Sequence, residues 1–117
     1  MDQVPQKIEL VFYKSKMGNE PVRDWLLGAP DEHRRLIGLD LQRVQYCWLV
    51  SMPLVWPMSK GLFEVRTNLP DGTIATVLFC FHGGELSALH SFSKKAQKTP
   101  PADLKLARER MKEVTNG

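Results

Sequence analysis

Residues 91–114 read S-F-S-K-K-A-Q-K-T-P-P-A-D-L-K-L-A-R-E-R-M-K-E-V. An apolar run ends at Phe92, lysines follow, and a Thr-Pro-Pro helix start comes next, with Thr99 as N-cap and Pro100 at the first helical position. The apolar residues beyond it recur at helical spacing: Leu104, Ala107, Met111 and Val114. The stretch predicts a strand that passes through a cationic segment into an amphipathic C-terminal helix.

Strand patterns separated by turn residues precede this stretch. Leu62–Thr67 alternates between two faces, Thr73–Phe81 is a long apolar run, and Leu86–Phe92 follows it. Pro70-Asp71-Gly72 and His82-Gly83-Gly84-Glu85 supply the turns between them. The pattern predicts three consecutive antiparallel strands.

The N-terminal half predicts one further strand, at residues 7–13, and two helices. The first helix spans Pro21–Leu27. The second runs from Asp31 to about Val50 before Pro53 and Pro57, with a stripe of Ile37, Leu41, Val44 and Trp48. We therefore expect a single domain over residues 1–117, of α+β class. It should have a small twisted antiparallel sheet, two N-terminal helices and a C-terminal helix, with the helices on one face of the sheet.

Positive charge is concentrated near the C-terminus. The 117 residues carry a net charge of +3, yet residues 1–59 hold seven bases and seven acids, whereas Lys94 to Lys112 hold seven bases and two acids. Such asymmetry indicates a polyanion or an acidic protein as partner. An ordinary solvated basic face explains the charge equally well.

Other classes of site find little support. Cys47 and Cys80 lie in apolar runs and are predicted to be buried free thiols, and no Cys/His spacing suits a metal. We expect no cofactor. There is no signal-peptide pattern and no apolar run of membrane length, which predicts a cytoplasmic protein.

The candidate chemistry is that of a phosphate site. Arg66 ends the strand G-L-F-E-V-R on the face it shares with Glu64, and a guanidinium there can grip a phosphate. Lys60 adds to the same field, and crowding by neighbouring cations lets Lys94 or Lys95 act as a base. Metal-independent RNA cleavage needs such a base, a cation at the phosphate and an acid.

Each of these residues also has a purely structural interpretation. Arg66 could form a surface ion pair with Glu64 or Asp71, which would contribute little to stability. His90 is more often a satisfied structural histidine than a catalytic one. Most lysine runs only bind their partners.

Three ordered motifs point further. They are F-Y-K-S-K-M-G-N-E-P-V at 12–22, K-G-L-F-E-V-R at 60–66 and L-H-S-F-S-K-K-A-Q-K-T-P at 89–100. Through them nearly the whole chain resembles the RelE/HigB-type toxins of bacterial type II toxin–antitoxin systems, in particular the phage-derived HigB-like branch. The resemblance implies a microbial-RNase-like fold and a ribosome-dependent mRNA endonuclease. It also implies a helix-turn-helix antitoxin as partner, which would link the toxin indirectly to operator DNA.

The resemblance also assigns roles by position. Arg66, Lys94, Lys95 and His90 are the implied catalytic residues. The candidates for binding RNA or the ribosome are Lys60, Phe92, Lys98, Lys105, Arg108 and Lys112. Thr76 stands where the family often has a strand arginine. That departure keeps an alternative open: a weak or inactive homologue that binds antitoxin or ribosome in operon regulation.

Overall fold

The computed structural model describes residues 7–46, 55–95 and 98–116, and these residues form three helices and a five-stranded sheet. In chain order the elements are β1 (Leu10–Phe12), α1 (Pro21–Leu27), α2 (Asp31–Tyr46), β2 (Val55–Pro57), β3 (Leu62–Asn68), β4 (Ile74–His82), β5 (Glu85–Lys94) and α3 (Pro101–Asn116). The predicted α+β class is confirmed. The strand β2 was not predicted, and the predictions for Cys47, Trp48, Val50 and Pro53 concern residues outside the described ranges.

The sheet has the strand order β1-β5-β4-β3-β2. The strands β3, β4 and β5 pair antiparallel, as predicted, and the unpredicted β2 pairs antiparallel with β3. By contrast, β1 pairs parallel with β5, with Leu10 opposite Leu86. A wholly antiparallel sheet was therefore the wrong expectation at this edge. A parallel pair requires a long crossover, and α1 and α2 lie in the chain after β1 and before β5.

A β-bulge in β5 decides which side chains share a face. His90 pairs with Leu78, whereas Ala88 pairs with Phe79, so Leu89 is the extra residue. An unbroken register would have carried His90 to the opposite face, because side chains alternate along a strand. The bulge thus places His90, and with it Phe92, on the face that carries Arg66.

The two faces of the sheet carry separate cores. Helices α1 and α2 pack on one face, where Val22, Ile37 and Val44 meet Val65 and Val77.

Helix α3 packs on the other face, so the expectation that all helices share one face is wrong. Its Ala107 is buried with Leu62, Leu78, Cys80 and Leu89, because both faces of the sheet carry apolar side chains that must leave water. The predicted buried free thiol at Cys80 is confirmed. Arg66 and Phe92, on this same face, are only partly buried.

Candidate functional site

The register of three strands brings the predicted site residues onto one face. Arg66 lies opposite Thr76, which lies opposite Phe92, and in the adjacent row Glu64 lies opposite Leu78, which pairs with His90. Lys94 ends β5, and Thr99 lies just before α3. We call the polar and aromatic group on this face the sheet cluster: Glu64, Arg66, His90, Phe92, Lys94 and Thr99.

Glu64 is the centre of the sheet cluster. Its side chain is 0% exposed, and its carboxylate accepts hydrogen bonds from Arg66 Nε, from Lys94 Nζ at 3.1 Å and from Thr99 Oγ1. The Arg66–Glu64 pair exists, but the expectation of a surface pair is wrong because α3 and the segment before it cover Glu64. Sequence alone gave no sign of this, since its partners other than Arg66 lie 30 or more residues away.

Lys94 lies inside the protein. Its side chain is 5% exposed, and its ammonium also donates to Thr99 Oγ1 at 2.9 Å. The expectation of a surface lysine in a basic loop is therefore wrong: Lys94 is the last residue of β5 and points at Glu64. Burial lowers the pKa of the Lys94 ammonium, and the hydrogen bond and charge of Glu64 oppose that shift.

Thr99 contributes to this network instead of capping α3. Its hydroxyl donates to Glu64, and the helix begins at Pro101, with the amides of Asp103 and Leu104 donating to the Pro100 carbonyl at 3.1 and 3.2 Å. The predicted N-cap role is therefore not seen. The Thr99 oxygen that would accept from a helix amide accepts from the Lys94 ammonium instead.

The carboxyl of Glu64 is held in its charged form. Burial would raise its pKa, but the hydrogen bonds from Thr99, Arg66 and Lys94 outweigh burial and lower the pKa below its usual value. At neutral pH the Glu64 carboxylate is therefore paired with the Lys94 ammonium, and the Arg66 guanidinium is a second cation beside it.

Arg66 is fixed on two sides. Besides its bond to Glu64, its guanidinium carbon lies 4.4 Å from the ring centroid of Trp56 in β2. The Arg66 side chain remains 16% exposed, against 5% for Lys94, so Arg66 is the more accessible of these two cations. Trp56 was missed by the sequence analysis, because the short strand β2 shows no alternation that would predict it.

His90 is also held from both sides. Its Nε2 lies 2.6 Å from Asp103 Oδ1 in the first turn of α3, and its ring stacks on Phe92 at 5.5 Å between centroids. Its side chain is 15% exposed. A carboxylate that orients an imidazole is a common arrangement for a proton-transfer group, and Asp103 was not foreseen because α3 was expected on the other face.

Thr76 lies between Arg66 and Phe92 and is fully buried. Its Oγ1 has no hydrogen-bond partner among the described residues. The position that often carries an arginine in the resembling toxins is thus closed to solvent here, and the guanidinium on this face comes from Arg66.

The remaining predicted bases lie in two other places. Lys95 and Lys98 are exposed beyond the end of β5, and their neighbours 96 and 97 lie outside the described residues. Lys105, Arg108 and Lys112 line a shallow pocket of about 440 Å³ on α3. We call these three residues of α3, together with Lys60, the helix surface.

Lys60 belongs with α3 rather than with Arg66. Arg108 donates to the carbonyl oxygens of Met58 and Ser59, which attaches the turn between β2 and β3 to the helix. Ser59 and Lys60 both have positive φ angles, of 76° and 53°, so the turn adopts a left-handed backbone that its non-glycine residues disfavour. The contribution of Lys60 to the field at Arg66 stays a prediction, whereas Arg108 is seen to hold this turn.

The described part of the chain lacks two further features. Its histidine, cysteine and carboxylate side chains form no group arranged to hold a metal ion. None of its helices has the length and hydrophobicity needed to cross a membrane.

The sequence of this chain matches a family of known proteins. The family model described as "Phage derived protein Gp49-like (DUF891)" matches residues 24–112. That range contains the whole sheet cluster and the helix surface. No curated protein matches the chain.

Proposed function

The chain belongs to the phage-derived Gp49-like family, and from that premise we propose that it is the toxin of a toxin–antitoxin system. Membership of this family is compatible with such a toxin. We propose further that it inhibits translation as a metal-independent endoribonuclease that cleaves mRNA on the ribosome. The observation that carries the proposal is Arg66, a guanidinium fixed by Glu64 and Trp56 on the partly open sheet face that also carries His90.

The cluster offers two of the three groups that RNA cleavage requires, a cation at the phosphate and a base, and in this proposal the leaving 5′-oxygen takes its proton from water. Arg66 binds the scissile phosphate and stabilises the charge that develops on it. When His90 donates its Nε2 proton to Asp103, its Nδ1 carries a lone pair that can take the proton of the 2′-hydroxyl. Phe92, half-buried beneath the imidazole, presents an aromatic face for a base.

The exposed lysines supply attraction rather than chemistry. Lys95 and Lys98 lie at solvent beyond the end of β5, and Lys60, Lys105 and Lys112 form a second cationic area at α3. In this proposal the helix surface binds ribosomal RNA while the sheet cluster receives the mRNA. The protein acts in the cytoplasm, and its partner is a helix-turn-helix antitoxin, through which it associates with operator DNA.

The test is to map mRNA ends after a short pulse of expression without the antitoxin, for the wild type, Arg66→Lys and Arg43→Lys. We expect growth arrest and new ends within translated frames for the wild type. Arg66→Lys should lose most of both, because lysine cannot form the two-pronged contact of a guanidinium. Arg43→Lys is the matched control, since Arg43 is an exposed arginine that pairs with Asp40 on α2. Unchanged mRNA ends in the wild type would contradict the proposal.

A second candidate has a specific observation in its favour. Lys94, one of the implied catalytic lysines, is occupied by Glu64 and Thr99, and Thr76 supplies no second guanidinium. Both facts suit a non-catalytic homologue that binds the antitoxin or the ribosome. This candidate predicts binding of the same partners with no growth arrest, so the pulse experiment separates the two.

A further inference from the structure

We infer that Glu64 is a positioning residue of this site: its buried carboxylate holds the guanidinium of Arg66 in place for a substrate phosphate. It does so by joining β3 to the end of β5 and to the start of α3. The inference rests on the proposed RNA-cleaving function. Glu64 itself is closed to solvent, so it touches no RNA and acts through Arg66.

The donors that meet at Glu64 come from three parts of the fold. Arg66 lies two residues further along the same strand, Lys94 comes from β5, and Thr99 comes from the segment that leads into α3. A carboxylate has room for about four hydrogen bonds, and these donors fill most of it. One carboxylate therefore fixes the relative positions of the phosphate-binding arginine and the elements around it.

Stability alone does not explain a charged group at this place. Besides its hydrogen-bonding partners, the neighbours of Glu64 on the same face include the apolar residues Leu62 and Leu78. A buried ion pair is often no more stabilising than apolar side chains of similar size, and its best-attested benefit is a fixed arrangement. Leucine at position 64 would extend the core beneath α3, but it would leave Arg66 without its acceptor.

Positioning has a direct kinetic value. A long arginine side chain on an open surface samples many conformers, and ordering it at the moment of reaction raises the barrier. Here the bond from Nε to Glu64 and the stacking on Trp56 order the guanidinium before RNA arrives. A guanidinium displaced by about 1 Å can lower the rate of the chemical step by roughly a hundredfold.

The decisive variant is Glu64→Gln, which keeps the shape of the side chain and removes its charge. Its matched control is Asp40→Asn. Asp40 is a mostly buried carboxylate on α2 that accepts a hydrogen bond from Thr67 Oγ1 at 2.7 Å, and Thr67 is the neighbour of Arg66 on the opposite face of β3. Both changes remove one carboxylate charge at the same strand, but of these two carboxylates Glu64 is the one that accepts a hydrogen bond from Arg66.

The readout is ribosome-dependent cleavage of a defined mRNA, with kcat and KM measured separately for each variant at a temperature equally far below its own melting point. We expect Glu64→Gln to lose at least about tenfold in kcat. Its KM should stay within about twofold, because the helix surface that attracts RNA is unchanged. Asp40→Asn should keep both constants near those of the wild type.

If Glu64→Gln does not fold, Thr99→Val replaces it as the test variant. It removes one hydroxyl donor to Glu64 and replaces it with a side chain of equal size, and we expect kcat to fall severalfold at unchanged KM. If kcat is retained in Glu64→Gln, or in Thr99→Val when that variant must serve, the inference is overturned. An equal loss in Asp40→Asn also overturns it, since the effect would then be one of stability. A wild-type chain that cleaves nothing overturns the proposed function itself, before any variant is compared.

Discussion

Lys94 and Glu64 form an ion pair inside the protein, so a substitution of either residue changes the electrostatic environment of the other. Lys94→Met would leave a fully buried carboxylate with less positive charge around it. We expect the free energy of unfolding to fall by about 3 kcal/mol, whereas the exposed Lys95→Met should change it by less than about 0.5 kcal/mol. Urea unfolding of both variants measures this. If the two variants unfold at the same urea concentration, the ion pair does not contribute to stability.

This difference changes how loss of toxicity in a lysine variant is interpreted. Replacing Lys94 and Lys95 together would change one buried and one exposed residue, because Lys94 is buried and Lys95 is at the surface. If Lys94→Ala no longer arrests growth, the amount of folded Lys94→Ala protein has to be measured before the loss is assigned to the missing charge. Lys95→Ala tests phosphate attraction without that complication.

The charged state of Glu64 predicts how stability depends on pH. The folded protein lowers the pKa of this carboxyl below its usual value of 4.5, so its contribution is complete above that value. It is lost as pH falls through the lower folded-state pKa. We expect the melting temperature of the wild type to fall more steeply than that of Glu64→Gln as pH drops from about 5 towards 3. Melting curves that shift in parallel over this range would show that Glu64 gains nothing from its charge.

The hydroxyl of Thr76 is the polar side-chain atom among the described residues that is buried without a hydrogen-bond partner. Valine has the same shape and removes the unsatisfied group. We expect Thr76→Val to raise the free energy of unfolding by up to about 1 kcal/mol, because an unpaired buried hydroxyl is destabilising. Chemical denaturation measures the change, with Thr67→Val as the opposite control, since the Thr67 hydroxyl is bonded to Asp40. A destabilised Thr76→Val would mean that this hydroxyl has a partner in solution.

At the scale of elements, local signals in the sequence predicted what local interactions decide. Pro21 at the start and Gly28 at the end fix α1 at the predicted bounds, and the Gly83-Gly84 pair, with positive φ angles of 62° and 80°, makes the predicted tight hairpin. The alternation of β3 placed Glu64 and Arg66 on one face, and the register confirms it. These features depend on residues close together in the chain.

Features that depend on distant residues were not predictable from the pattern. The bulge at Leu89 shifts His90 and Phe92 onto the Arg66 face, and no sequence signal distinguishes it from an unbroken strand. The apolar stripe of α3 shows that the helix packs, but not on which face, so the burial of Lys94 could not be seen. The strand β2 is short and ends at Pro57, a residue that argues against a strand except at a sheet edge, which is where β2 lies.

At the scale of the whole molecule, the C-terminal excess of positive charge divides between two places. Lys95 and Lys98 lie beyond the end of β5, while Lys60, Lys105 and Lys112 lie with Arg108 on the helix surface. The fold buries Lys94 on Glu64, so this cation adds little to the field outside. We therefore expect an acidic partner to contact the exposed lysines Lys95 and Lys98 and not the buried Lys94.

From this distribution we expect the proposed antitoxin to cover or distort, with acidic side chains, both the area around Arg66 and the turn that carries Lys60, and its binding to weaken as salt rises. Lysine labelling of the free chain and of the complex tests this directly. Lys95, Lys98 and Lys60 should be protected in the complex. The exposed Lys14 and Lys16, which lie in the charge-balanced N-terminal half, should stay reactive and serve as the internal control. Lys94 cannot report antitoxin binding, because its side chain is already buried in the free chain.

A complex that neutralises the protein while Lys60, Lys95 and Lys98 react as in the free chain would mean that the antitoxin acts from another face. In that case the positive charge serves RNA alone.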